Sequence, residues 1–178
     1  GDRALAIELS LDAYPVSPYV NSADQLAITY FSEYRLIRDE AEAERYIACL
    51  GKLPAKMAGL AAARERRAKA GIVLPRGIYE TALRGIRRIA DARATSTPFY
   101  AAFERKLASS SVPAGPARAA LLGKAEKAVE RSALPAWKRL AEALERQADR
   151  VPDEGGACRL PGGAEYYASC LRRYTTAP

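Results

Sequence analysis

Apolar residues recur at three- and four-residue intervals along most of this chain. Prolines and glycines cut the pattern into segments, which together predict a run of amphipathic helices. The stretch from Asp39 to Ala108 is the part around which the rest is organised. Asp39 is a predicted N-cap, followed by Glu40, Glu42 and Glu44, which the positive end of the helix dipole favours. Ala43, Tyr46, Ile47 and Leu50 form the apolar stripe of that helix. Gly51 and Pro54 interrupt it, and Met57, Leu60 and Ala61 restart the stripe in a second helix that Gly71 stops. Pro75 opens a third, with Ile78, Ala82, Ile86, Ile89 and Ala90 inward. Thr97 and Pro98 are the cap and first turn of a fourth, which carries Phe99, Phe103 and Leu107.

The flanks follow the same logic. Arg3 to Asp12 fits both a short helix and a strand-like alternation, and the helix is the preferred reading. Pro15 and Pro18 make Tyr14 to Ser22 extended. Ser22 caps a helix running through Leu26, Ile28, Tyr30 and Phe31 to about Tyr34. Ser109 to Pro116 is a turn-rich linker, too short to separate domains. Beyond it a long helical pattern runs from about Ala117 to Arg150 with Pro135 in its middle. That proline removes a backbone hydrogen bond and crowds the carbonyl of Arg131, which predicts a kinked helix or two abutting ones. The stripe of the second half is Trp137, Leu140, Ala141, Leu144, Ala148 and Val151. No internal repeat is visible. The expected fold is all-α, an elongated multi-helix bundle with proline-kinked long helices, with residues 1–178 forming one helical domain.

Composition excludes more than it assigns. The chain has no histidine, so it cannot build a Ser-His-Asp or Cys-His nucleophile pair or supply the imidazoles that catalytic zinc usually takes. Three cysteines are too few for a four-thiolate site. No apolar window reaches the roughly 18 to 20 residues needed to span a bilayer, so no transmembrane segment is expected. The chain opens on Gly1 and Asp2 with neither a Met nor an apolar leader, as expected of a processed or cut terminus. A net charge of +7 permits attraction to anionic partners. Arg64, Arg66, Arg67 and Lys69 cluster on one helix, and Arg84, Arg87 and Arg88 on the next. Glu65 and Glu80 interleave with them and no recognition motif is present. These clusters are therefore read as solvated helix faces or contacts to another part of the protein, and nucleic acid is not an expected partner.

The remaining candidates are sparse. Cys158 lies in the loop before the final helix and Cys170 inside that helix. They either form a disulfide, which points to an oxidising compartment such as a periplasm, or are two unrelated buried thiols. Cys49 sits on an apolar stripe and is read as a core residue. Tyr166 and Tyr167 could line a ligand cleft, but tyrosines at helical spacing are more often core residues whose hydroxyl reaches the rim. Glu42, Glu44, Glu142 and Glu145 lie on exposed faces, and none has a setting that would raise its pKa towards a general acid's range. The pairs Gly155-Gly156 and Gly162-Gly163 lack the flanking strand of a phosphate-cradling loop and are read as turns.

One stretch carries a resemblance. Gly156-Ala157-Cys158-Arg159-Leu160-Pro161-Gly162-Gly163-Ala164-Glu165-Tyr166-Tyr167, followed by Leu171-Arg172-Arg173-Tyr174-Thr175-Thr176, resembles the bacterial domain of unknown function 885 family. Members of that family carry a Leu-Pro-x-Gly-x-x-Tyr-Tyr segment and then a helix ending in a basic-aromatic-Thr-Thr signature. Pro15-Val16-Ser17-Pro18-Tyr19-Val20, Asp39 to Glu44 with Tyr46-Ile47, Gly71 to Pro75, Ser96 to Tyr100 and Leu134-Pro135-Ala136 agree in order.

The resemblance implies a large, mostly helical protein similar to zinc-dependent peptidases. Such proteins are exported or anchored by an N-terminal lipid, and a His-Glu-x-x-His-like zinc site lies well downstream of the Thr-Thr signature. None of the family's metal ligands or catalytic residues maps onto this chain, so it is expected to be inert by itself and to hold no cofactor. Zinc and a peptide-like substrate would belong to the intact protein. The expected partner is the C-terminal half of the same protein, packed against helix faces that should leave apolar area exposed and against a surface that includes Tyr166, Tyr167, Arg172, Arg173 and Tyr174. The expected location is periplasmic or exported, with a cytoplasmic location as the alternative. The competing reading is a stand-alone, non-enzymatic helical binding module that uses its basic face for an acidic partner.

Overall fold

The computed structural model describes residues 23–153, 155, 159 and 162–175. The expected helix over Arg3 to Asp12 and the extended Tyr14 to Ser22 segment lie outside these residues. Among the described residues the chain forms a bundle of α-helices with no strand. The helices are α1 (Ala23–Thr29), α2 (Glu40–Leu50), α3 (Leu53–Lys69), α4 (Arg76–Ala90), α5 (Pro98–Ala108), α6 (Pro116–Ala128), α7 (Leu134–Glu145) and α8 (Gly163–Tyr174). A π-helical turn, Tyr30–Tyr34, extends α1, and a second, Val129–Ala133, joins α6 to α7.

The local signals act where the sequence places them. The Asp39 carboxylate accepts from the Glu42 N–H at 2.8 Å, and Glu42 reaches back to accept from the Arg38 N–H at 2.7 Å. This variant of the capping box satisfies one donor that the first turn of α2 leaves open and the N–H of the residue before the cap. The Thr97 hydroxyl accepts from the Tyr100 N–H at 3.3 Å and donates to the Ala94 carbonyl at 2.7 Å, while Pro98 begins α5. α3 ends in a Schellman motif, with Gly71 N–H donating to Ala68 O and Ile72 N–H to Arg67 O. The motif needs a left-handed residue, and Gly71 supplies it with φ 78°.

At Pro135 the long helical run continues without a gap, as two α-helices joined by a π turn. The turn before it widens into the Val129–Ala133 π turn, in which Leu134 N–H bonds back to Val129 O, and the proline falls in the first turn of α7. The extra residue carries the pyrrolidine ring away from the carbonyl it would otherwise strike. The Ser109 to Pro116 stretch is tied down. Ser111 donates from its N–H and its hydroxyl to the Arg38 carbonyl at 2.8 and 2.9 Å, and Val112 is buried.

α7 is the central element, packed along both α3 and α4. Trp137, Leu140, Ala141, Leu144 and Val151 of its predicted stripe are buried, but Ala148 is exposed and Gln147 is buried in its place. The Glu145 end of α7 gives way to a turn and then a 3-10 turn, which shifts the inward face by one residue. In α4 the inward residue of the first turn is Tyr79, with Ile78 only half-buried. The Tyr79 hydroxyl donates to the Leu144 carbonyl at 3.1 Å. In α3 the buried face is Leu53, Met57, Arg64 and Ala68, and Leu60 and Ala61 are half-buried.

Aromatic rings cross the bundle, edge to face in every pair but the tilted Tyr46–Phe103. Phe31 meets Tyr46 at 5.0 Å and Phe99 at 5.5 Å, Tyr46 meets Phe103 at 5.1 Å, and Phe99 meets Trp137 at 5.0 Å. The Tyr46 hydroxyl donates to the Phe99 carbonyl at 2.8 Å, and burial pushes its pKa up. Each such ring contributes about 2–3 kcal/mol through burial, with more from ring geometry.

Candidate functional site

The interior holds an unexpected polar chain. Asp24 of α1 is 2% exposed and Arg64 of α3 is 5% exposed. Arg64 donates to Gln147 Oε1 at 3.0 Å, Gln147 Nε2 donates to Glu65 Oε2 at 3.2 Å, and Glu65 pairs with Arg150 at 3.7 Å. Burial pulls the Arg64 pKa down, while the fields of Tyr79 and Asp24 hold the proton on. Arg64 therefore does not belong to the solvated face assigned to Arg64, Arg66, Arg67 and Lys69. Its position seven residues after Met57 returns it to the apolar side of α3, where Gln147 and Asp24 answer it. A guanidinium so placed has no proton to exchange near neutrality, so the chain ties helices together and is not an acid–base device.

The second cluster divides in two. Arg87 is turned along α4 to Glu145, an ion pair of 2.6 Å across to α7. Arg84 and Arg88 instead line a cleft of about 330 Å³ between α1 and α4, with Gln25, Thr81, Ala82, Gly85 and the buried Asp24. Arg84 Nη2 donates to Thr81 Oγ1 at 3.0 Å, and that hydroxyl donates to the Gly77 carbonyl at 2.8 Å.

An apolar edge lies along α1 and the π turn that extends it. Leu26, Tyr30, Tyr34 and Leu36 are 48%, 40%, 73% and 57% exposed. A groove of about 400 Å³ runs beside Leu26 and Tyr30 over Leu53, with Cys49 in its wall and Lys52 and Lys56 at its rim. Cys49 is thus half-buried, with one side on the core and one on the groove. The edge is held firmly in place. The Lys106 ammonium donates to the Phe31 and Arg35 carbonyls, both at 2.7 Å, and so satisfies the end of the π turn from α5.

Of the expected packing surface, α8 presents Tyr167 at 57% exposure, one turn from Leu171 at 44%, with Arg172 also exposed. The exposure of Tyr167 differs from the core position that its helical spacing suggested. Tyr166, Arg173 and Tyr174 lie on the same helix, and their side chains are outside the described residues. The Cys158–Cys170 pairing also lies outside them, since Cys158 and the Cys170 side chain are not described. Arg38 donates to Glu42 from its backbone and guanidinium and holds the Glu42 carboxyl at about 2, the opposite of what a general acid needs.

The chain has no histidine, and no three Cys, Asp or Glu side chains converge as metal ligands among the described residues. No helix among the described residues is long and apolar enough to cross a membrane.

The fold has a solved relative. A structure described as a putative lipoprotein from Colwellia psychrerythraea superposes with a TM-score of 0.79 at 19% identity, covering 88% of this chain and 27% of that one. This chain thus spans about a quarter of that protein's length, and the likeness establishes the bundle as a shared fold. No curated protein matches the sequence. The family model described as "Bacterial protein of unknown function (DUF885)" matches residues 2–178, from one end of the chain to the other, and the chain belongs to that family.

Proposed function

We propose that this chain is the N-terminal helical scaffold and cleft wall of a larger, exported, zinc-dependent hydrolase of the peptidase kind, and that it is inert by itself. The observation that carries the reading is one of length. The bundle fills 88% of this chain but 27% of the Colwellia protein, so the fold occurs there as part of a much larger body. The exposed edge from Leu26 to Leu36 and the Tyr167 and Leu171 pair on α8 are the surfaces the remainder would cover. The zinc ligands and the water-activating carboxylate would lie in that remainder. This chain would supply the rigid wall that positions them and helps exclude water. The lipoprotein description of the relative supports export, and an oxidised Cys158–Cys170 pair would accompany it. The basic-face alternative is weakened by the loss of Arg64 to the interior and by the engagement of Arg87 with Glu145.

Zinc content and hydrolysis of a mixed peptide library test the proposal on two samples, the product of the full reading frame and the 178-residue chain. The expected result is about one zinc per full-length molecule, with hydrolysis abolished by a chelator and restored by zinc, and neither property in the chain alone. A full-length protein that binds no zinc and cleaves nothing overturns the hydrolase reading. Hydrolysis by the chain alone overturns its inertness.

A further inference from the structure

We infer that the cleft between α1 and α4 is an oxyanion site, which takes a carboxylate or phosphate group between Arg84 and Arg88. The inference is independent of the hydrolase reading. Thr81, Arg84 and Arg88 stand at i, i+3 and i+7 of α4 and so share one face, and all three line the same cleft. The floor is Ala82 and Gly85, and a Cβ built on Gly85 meets nothing within 4 Å, so a ligand atom has room to approach the helix. Gln25 adds an amide from α1 across the cleft.

Three features distinguish this place from an ordinary pair of surface arginines. The Arg84 guanidinium is already held at the cleft by its 3.0 Å bond to Thr81 Oγ1, and that hydroxyl is fixed in turn by the Gly77 carbonyl. Thr81 is therefore a positioning residue, and part of the rotamer entropy lost on binding is lost beforehand. Asp24, the one carboxylate among the described residues that line the cleft, is 2% exposed, whereas Arg84 and Arg88 are exposed, so the surface a ligand meets is cationic. The third arginine of the cluster, Arg87, is directed to Glu145 and does not line the cleft. Guanidinium pairs bind planar carboxylates and phosphates through charge-assisted hydrogen bonds, which sets the ligand class.

The experiment is calorimetric titration of the full-length protein at fixed ionic strength with two probes, inorganic phosphate and an acidic tetraglutamate peptide. The variants are Arg84→Gln, Arg88→Gln and Arg87→Gln. Each removes one positive charge from the same helix, so a diffuse electrostatic attraction would fall equally in all three. Saturable binding that weakens about tenfold in Arg84→Gln and in Arg88→Gln, and stays within about twofold in Arg87→Gln, is the expected result. Phosphate binding tighter than the peptide assigns the site to phosphoryl groups, and the reverse assigns it to acidic peptides. Equal losses in all three variants, or no saturable binding of either probe, overturn the site. Thermal unfolding of each variant, expected to match wild type because all three side chains are exposed, keeps a folding defect from passing as lost binding.

Discussion

The body from α2 to α7 and the edge formed by α1 with its π turn carry similar residues and treat them differently. In the body, Tyr46, Phe99, Phe103 and Trp137 are wholly buried and meet ring to ring across three helices. Along the edge, Leu26, Tyr30, Tyr34 and Leu36 face outward, although Lys106 fixes the backbone that carries them. An edge that was merely loose would not be tied by two 2.7 Å bonds to its last carbonyls. The body makes its own core, whereas the edge holds apolar side chains exposed, where the proposed remainder of the protein would pack.

The largest effect that would sharpen this contrast is expected in the body. Trp137→Ala should cost about 3–5 kcal/mol in urea unfolding, because the cavity would open at the meeting point of α7 and the Phe99 ring. A cost near zero would mean that the body is not the stable unit. Arg64→Ala should cost about 3 kcal/mol, since it leaves the buried Gln147 without its guanidinium donor and the buried Asp24 without that positive charge in its field. Tyr46→Phe removes only the bond to the Phe99 carbonyl, and about 1 kcal/mol is expected from the same unfolding curves.

The next effect is small and depends on pH. Glu42 has its carboxyl lowered from 4.5 to about 2 by Arg38, so its stabilising contribution is present above about pH 4.5 and is lost as pH falls towards 2. Glu42→Gln should therefore differ most from wild type near neutrality and converge with it in acid. A difference that grows in acid would contradict the assignment. Leu36→Ser, on the edge, should change the stability of the isolated chain by less than about 0.5 kcal/mol. A loss as large as that of Trp137→Ala would erase the distinction between body and edge.

Signals that act within one turn were legible in the sequence. Asp39, Thr97 and Gly71 cap or stop their helices as their side chains and the period predict, because each needs only its own neighbours. Pro135 was half legible. Its missing N–H forbids an ordinary α turn, but the choice of a π turn over a break depends on how α7 lies against α3 and α4. Arg64 was misplaced because its residue type outweighed its position. The seven-residue step from Met57 pointed inward, and the residues that make such burial tolerable, Asp24 and Gln147, come from distant parts of the chain. The cleft at Arg84 and Arg88 was hidden for the same reason, since one wall belongs to α1 and the other to α4. Exposed apolar area was expected along the helix faces, but its place at Leu26 to Leu36 was not legible, because an apolar stripe does not record which of its residues neighbouring helices bury.

Hydroxyl-radical footprinting of the isolated chain and of the full-length protein tests most directly whether the edge is built to be covered. Tyr34 and Leu36 should oxidise several-fold more slowly in the full-length protein, while Trp137 stays protected in both and reports that the body is folded. Equal rates at Tyr34 and Leu36 in the two samples, with Trp137 protected in each, would contradict the account.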